Sequence, residues 1–202
     1  MRRRVFDILV STTGLVMVVV LGVAGGLLMW ASTFASSNVH NQLAQQHITF
    51  PPKSAFAHAK PGTEITPSMI PSVSQYAGQQ LTTGQQAKVY ANDFIAVHLH
   101  EMPYNGVYSK VSAAAREHPD DQQLQQEVNT VFRGTTLRGL LLEAYGFSVM
   151  GTIAFWGAIA SFCLAFVMAI LAALGFWHAR RTPATEELLA PAPRATGRLV
   201  TS

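Results

Sequence analysis

Two long stretches without a charged residue dominate the hydrophobic pattern of the chain: Ile8 to Val39 and Gly146 to Trp177. A helix that crosses a hydrocarbon core of about 30 Å needs roughly 20 apolar residues, and each stretch supplies them. The pattern predicts one transmembrane helix at residues 8–34 and a second at residues 147–177. Because the second stretch is longer than one crossing requires, we expect it to tilt or to project beyond the bilayer.

The section between these stretches, residues 35–146, is polar and follows a helical period. From Thr83 to Met102, apolar residues recur three and four positions apart, and Pro103 with the following Asn-Gly pair predicts the end of that helix. Further helices are predicted from Ser109 to Glu117 and after Pro119. Residues 48–75 contain five prolines. We expect an extended connector there, with its apolar side chains lying against another element.

The overall prediction is an all-α membrane protein in which two transmembrane helices flank a small extracytoplasmic helical domain. Composition agrees, with 49% hydrophobic and only 12% charged residues. The net charge of +3 is too small to indicate nucleic-acid binding. The single cysteine, Cys163, lies in the second stretch and leaves the middle section without a disulfide.

Arginines crowd the outer ends of both apolar stretches: Arg2, Arg3, Arg4, Arg180, Arg181, Arg194 and Arg198. By the positive-inside rule, both ends face the cytoplasm, residues 1–7 as a short N-terminus and 178–202 as a disordered tail. Residues 35–146 then lie outside a plasma membrane that the protein crosses twice. A cleavable signal peptide ending near Ala35 is the alternative, but the apolar run is longer than the 7–15 residues typical of one.

Small and amphipathic residues mark expected contacts within the membrane. Small-x-x-x-small spacing allows two helix backbones to approach closely, within one chain or between chains. The candidate packing residues are Gly22, Gly26, Ala154, Ala158, Gly157 and Ser161. Aromatic and basic residues that favour the membrane–water interface are Trp30, Tyr145, Trp177, Arg180 and Arg181. No charged residue lies inside either stretch, which argues against an ion or proton path.

The residues predict no catalytic site and no cofactor. Six of the seven histidines lie in the middle section, and the weak metal candidates are His98 and Glu101, three positions apart on one helix. His98 and His100 diverge by about 200° on a helix and cannot share an ion. A half-buried structural His98 is the favoured interpretation. Nucleophile elbows and glycine-rich phosphate loops do not occur in the middle section.

Three segments resemble those of uncharacterised two-span membrane proteins of actinobacteria: FPPKSAFAHAKPGTEITPSMIPSVSQYAGQQL, QQAKVYANDFI and FRGTTLRGLLLEAYGF. The resemblance covers most of the chain except the tail, and it implies the two-span architecture and an envelope location. Some members carry the automatic name aromatic ring-opening dioxygenase. That activity needs iron ligands, and the residues supply no arrangement of them.

The leading functional hypothesis is a non-enzymatic accessory or interaction subunit that acts through its extracytoplasmic domain. Expected partners are membrane lipids and another membrane or envelope protein, or a second copy through the spans. The first alternative is a ligand-binding or sensory module with a pocket between the proline-rich connector and the Thr83–Met102 helix. A metal-dependent enzyme is the second alternative.

Overall fold

Two long helices account for most of the fold. The computed structural model describes residues 3–181 and Pro183, and the regular structure within them is helical. Helix α1 runs from Arg3–Gln45 and the last helix, α7, from Gln122–Arg181. Each contains a segment long and apolar enough to cross a membrane. The all-helical class and the two predicted apolar helices are confirmed, and most of the predicted tail lies outside the described residues.

Both long helices extend well beyond their apolar stretches. Helix α1 continues through the polar residues up to Gln45. Helix α7 joins the predicted Pro119 helix to the second apolar stretch without interruption at Gly134. Its first turn is capped by Asp121, whose Oδ1 accepts a hydrogen bond from the amide of Leu124 at 3.0 Å. Near Gly134, the Thr135 hydroxyl donates to the Val131 carbonyl oxygen at 2.7 Å, an arrangement compatible with a continuing helix.

The proline-rich segment is a compact loop, and the expectation of an extended connector is wrong. It forms α2 (Lys53–Phe56), a 3-10 turn (Pro67–Met69), α3 (Ile70–Val73) and a second 3-10 turn (Ser74–Tyr76). Two of its prolines, Pro67 and Pro71, stand in the first turn of these elements. The fixed φ of proline suits that position, where its missing N–H has no intrahelical partner to lose. These two prolines therefore begin short helical elements and do not extend the chain.

Backbone hydrogen bonds close this loop at its base. Phe50 donates to the Gln79 carbonyl oxygen at 2.9 Å, and Leu81 donates to that of Ile48 at 2.8 Å. The loop closed in this way, residues 48–81, is called the proline loop below. Its base is also tied to α1, because the Gln80 side chain donates to the Ala44 carbonyl oxygen at 2.8 Å.

A helical run at residues 84–101, called the central helix below, packs against the proline loop. It consists of α4 (Gly84–Val89), a π-helical segment (Tyr90–Ile95) and α5 (Ala96–Glu101). A capping box begins it: Thr83 Oγ1 accepts from the Gln86 amide, and Gln86 Oε1 accepts from the Thr83 amide. The predicted helix over Thr83–Met102 is confirmed. A 3-10 turn (Pro103–Gly106), with Tyr104 and Asn105 in the left-handed region, ends the central helix where predicted, and α6 (Tyr108–Glu117) follows at the position of the predicted Ser109–Glu117 helix.

The chain divides into two compact units. The span unit consists of Met1–Leu28 and Trp156–Ser202, of which the structure describes residues 3–28, residues 156–181 and Pro183. The domain unit is Met29–Phe155 and contains the main hydrophobic core. That core joins α1, the proline loop, the central helix and α7 through Leu43, Phe50, Met69, Val73, Leu81, Ala91, Ile95, Leu99 and Leu141.

Candidate functional site

The contact between the proline loop and the central helix is a filled core, so it does not offer the pocket that a sensory module would need. Met69, Val73 and Leu81 are fully buried and Phe50 is 1% exposed. Neighbouring rings continue this packing along the helix, with centroids 5.3 Å apart for Phe50 and Tyr90. The apolar side chains of the loop thus pack against another element, as predicted, but the expected site of ligand binding is occupied by protein.

His98 takes part in this packing, and each of its ring nitrogens lies beside a backbone carbonyl oxygen. Its Nδ1 lies 2.8 Å from the Phe94 carbonyl oxygen, and its Nε2 lies 2.9 Å from the Glu64 carbonyl oxygen. The imidazole therefore joins the central helix to the proline loop. The other weak candidate, Glu101, is exposed. Within residues 3–181, no three His, Cys, Asp or Glu side chains are grouped as a metal site requires.

Tyr90 carries the clearest electrostatic perturbation of the domain unit. Burial raises the pKa of its hydroxyl above the usual value of about 10, and the negative charge of Glu64 adds to the increase. Both causes favour the neutral phenol. Tyr90 is thus a core side chain that stays protonated, not an activated nucleophile or base.

A groove of about 390 Å³ lies in the domain unit between the polar part of α1 and the facing part of α7. The α7 side is apolar and includes Leu137, Leu140 and Phe147. The α1 side carries a row of amides, Asn38, Gln42 and Gln46, beside the apolar Val39 and Leu43. Its volume lies within the range of about 300–1,000 Å³ that is typical of small-molecule sites.

An exposed apolar surface lies in the domain unit where the Pro103–Gly106 turn leads into α6. We call the four residues Tyr104, Val107, Tyr108 and Phe132 the distal surface; their exposed fractions range from 41% to 53%. The rings of Tyr108 and Phe132 lie 5.7 Å apart, which connects α6 to α7. Tyr104 has a φ of 55°, a left-handed conformation that side chains rarely adopt without a compensating constraint. No sequence pattern indicated this surface, because its residues come from three elements.

In the span unit, α1 and α7 pack antiparallel along a seam of small residues. A Cβ atom at Gly14 would lie 3.4 Å from the Cβ of Ala172, and one at Gly157 would lie 3.3 Å from the Leu28 side chain. Asp7 and His178 meet at the other end of this unit, with 3.9 Å between Oδ2 and Nε2. The seam includes residues from near the start of α1 to Leu28.

The predicted packing residues divide between the seam and the outer surface. On α7, Gly157 contacts α1, Ala158 is fully buried, and Ala154 and Ser161 are half-buried. Gly22 and Gly26 do not lie against α7, since a Cβ atom at either would meet nothing within 4 Å. Gly25 is the glycine of this group that faces α7, because a Cβ atom at Gly25 would lie 2.9 Å from the Phe162 ring. A contact of Gly22 and Gly26 with another chain stays a prediction.

The predicted interface residues have different surroundings. Trp30 is 67% exposed and stacks on Phe34 with ring centroids 5.7 Å apart. Trp177 is exposed near the end of α7, where the Arg181 guanidinium lies 4.3 Å from its ring centroid, and Arg180 is exposed beside them. Tyr145 instead lies beside the central helix, where the Lys88 ammonium is 4.9 Å from its ring centroid. A cation–π contact therefore covers the side chain expected at the membrane interface.

No protein-family profile, curated protein or solved structure matches this chain.

Proposed function

We propose that this protein is an integral membrane protein of the cell envelope and a non-enzymatic accessory or interaction subunit. Both of its ends face the cytoplasm, and the section from residue 35 to residue 146 lies outside. The resemblance to two-span actinobacterial proteins is consistent with this proposal. The distal surface is the observation that carries the interaction function.

The dimensions of the span unit support the membrane placement. Along α1, 21 residues separate Asp7 from Leu28, and along α7, 21 residues separate Gly157 from His178. Both distances correspond to about 32 Å of helix, close to the thickness of a hydrocarbon core. In the apolar segments of α1 and α7, only 17% and 11% of the residues are buried. A core helix of a water-soluble protein would bury most of such a segment.

The positions of the arginines support the orientation, and the continuity of α1 supports an uncleaved first span. Arg3, Arg4, Arg180 and Arg181 stand at the same ends of the two apolar segments as the Asp7–His178 contact, the arrangement found on the cytoplasmic side. Helix α1 continues past the alternative cleavage position at Ala35, and its later residues Val39 and Leu43 belong to the domain core. Cleavage there would separate the domain from its first anchor, so an uncleaved anchor is the better account.

The position of the distal surface supports a protein partner. Phe132 lies 15 residues before Phe147, the start of the second predicted span on α7, a distance of about 22 Å along the helix. Lipid contact does not explain exposed aromatic side chains so far from the apolar segment. Tyrosine and phenylalanine are enriched at protein interfaces, where they bury a large area with few rotatable bonds. The surface therefore suits a protein of the same envelope compartment.

Photo-crosslinking in cells tests this function. A photoreactive phenylalanine analogue replaces Tyr104 or Phe132, and Gln126 serves as the control because it is exposed on the same helix. We expect the two distal positions to crosslink to one distinct protein, and we expect the double variant Tyr104→Ala, Phe132→Ala to lose that protein on purification in mild detergent. A chain that purifies alone and crosslinks no more at Phe132 than at Gln126 would disprove the proposal.

A further inference from the structure

Two positively charged side chains, Lys88 and Arg138, lie between the central helix and α7 without a negative partner. Both are half-buried. Arg138 donates from Nη2 to Asn92 Oδ1 at 2.9 Å, and the Lys88 ammonium lies over the ring of Tyr145. Among residues 3–181, neither cation forms an ion pair with a carboxylate. Charges that are withdrawn from water are normally paired, so this contact has an excess of positive charge.

The two cations belong to one group of four side chains, Lys88, Asn92, Arg138 and Tyr145, called the basic cluster below. Lys88 and Asn92 are four positions apart on the central helix, and Arg138 and Tyr145 are seven apart on α7. Each pair therefore shares one face of its helix. The Arg138–Asn92 hydrogen bond and the Lys88–Tyr145 contact join the two faces. Both cations thus border the same stretch of the helix contact, about two turns long.

The basic cluster has hydrogen-bond donors that the protein does not use. Arg138 Nε is buried and has no hydrogen-bond partner within the described part of the chain. A buried donor of this kind is rare in native proteins, and a bound water molecule or ion is a common explanation. Asn92 accepts the bond from Arg138 through its oxygen, which leaves both hydrogens of its side-chain nitrogen for another acceptor. Asn92 also lies in the π-helical segment Tyr90–Ile95, a feature that is frequent at functional sites.

Positive charge combined with several N–H donors suits an oxyanion. A guanidinium group binds phosphate through two parallel hydrogen bonds, and an ammonium group adds a point charge. Tyr145 lies two positions before Phe147, where the second predicted span begins, a distance of about 3 Å along the helix. With the proposed membrane placement, one end of the basic cluster is level with the lipid head groups. A phosphate group can therefore reach it as part of a lipid or as part of a soluble molecule.

We propose that Arg138, Lys88 and Asn92 bind a negatively charged phosphate group on the outer side of the membrane. Arg138 and Asn92 donate hydrogen bonds to its oxygens, and Lys88 supplies the second positive charge. The proposal goes beyond the interaction of the distal surface with a protein and uses none of the residues of that surface.

Two binding measurements on the full-length protein test the site and distinguish the two sources of phosphate. In an uncharged detergent, inorganic phosphate is titrated by calorimetry at constant ionic strength. In nanodiscs of phosphatidylcholine mixed with phosphatidylglycerol, native mass spectrometry measures which lipid stays bound to the released protein. Saturable heat with inorganic phosphate indicates a soluble source, and preferential retention of phosphatidylglycerol indicates a lipid source. A protein that gives neither signal would overturn the proposal.

Charge-matched double variants provide the comparison. We expect Lys88→Gln, Arg138→Gln to weaken binding at least about tenfold in the measurement that gives a signal, because both positive charges are lost. Arg133→Gln, Lys110→Gln removes the same net charge at two exposed positions and leaves binding unchanged. If the first variant fails to fold, Lys88→Gln alone replaces it, since the described residues give Lys88 no hydrogen bond or ion pair to lose. Equal weakening in the two double variants would reveal a general charge effect and overturn the proposal.

Discussion

Gly106 shows how a single residue permits the turn that presents the distal surface. Its φ is +63°, and a Cβ atom there would lie 2.2 Å from the Leu99 carbonyl oxygen. The turn returns the chain tightly over the end of α5, so both the backbone angle and the missing side chain are needed. An exposed Tyr104 with positive φ is held by the same turn.

We predict that Gly106→Ala lowers the free energy of unfolding by about 2–3 kcal/mol, because it adds a backbone clash to an unfavourable φ. Gly78→Ala is the matched control. Its φ is +73°, but a Cβ atom there would meet nothing within 4 Å, so we expect a loss of only about 1–2 kcal/mol. Thermal unfolding in mild detergent, followed by circular dichroism, measures both. Equal losses of unfolding free energy in the two variants would show that the clash with Leu99 does not add to the cost at Gly106.

Tyr90 predicts an alkaline effect on stability. Its pKa is raised in the folded protein by burial and by Glu64, so its contribution is fully present below pH 10. Above that pH, the unfolded chain releases the phenol proton more readily, and the contribution is lost as pH rises through the folded pKa. We expect the melting temperature of the wild type to fall more between pH 9 and pH 11 than that of Tyr90→Phe. Tyr104→Phe is the control, because Tyr104 is exposed, and its melting temperature should fall as much as that of the wild type. If the melting temperatures of the wild type and Tyr90→Phe fall equally, burial of the Tyr90 phenol does not contribute to stability.

At the scale of elements, the helix pair of the span unit depends on which face carries its small residues. The residues of α1 that face α7 recur every three or four positions, at Ser11, Gly14, Val18, Leu21, Gly25 and Leu28, although Gly22 and Ala24 between them are also half-buried. Such a 3–4 repeat is the pattern of helices that pack side by side at a shallow angle. Gly22 and Gly26 fall outside it.

We expect Gly14→Leu to destabilise this pair by about 1–3 kcal/mol, because its side chain would meet Ala172, whose short side chain cannot move aside. Gly22→Leu, on the open side of the same helix, should leave the melting temperature of the isolated protein unchanged. A Gly22→Leu variant as unstable as Gly14→Leu would show that the small-residue motif, and not the 3–4 seam, forms the contact.

The helices of this protein can be predicted from the sequence more readily than the contacts between them. Hydrophobic length and period sufficed for α1, α7 and the central helix, because those signals are local. The proline loop was mistaken for an extended connector, since its shape depends on backbone bonds between residues about 30 positions apart, such as that from Leu81 to Ile48. The distal surface and the groove escaped prediction for the same reason. Each combines residues from separate elements, and composition does not show which of them meet.

At the scale of the whole molecule, the chain combines an apolar helix pair with a folded domain. The span unit has the length and the exposed apolar surface expected of a membrane-embedded helix pair, and the domain unit has a filled hydrophobic core. Both α1 and α7 continue from one unit into the other, so the proposed membrane placement holds the domain through both of its long helices. The proposed interaction through the distal surface depends on this placement.

The most direct test of the placement is the labelling of single cysteines by a membrane-impermeant maleimide in intact cells. With Cys163 replaced by alanine, one variant carries Gln126→Cys in the domain unit and the other Arg180→Cys at the end of α7, both at exposed positions. We expect Gln126→Cys to be labelled in intact cells and Arg180→Cys only after the cells are opened. Labelling of both from the same side, or of Arg180→Cys alone in intact cells, would contradict a domain held outside the cytoplasm by two membrane-spanning helices.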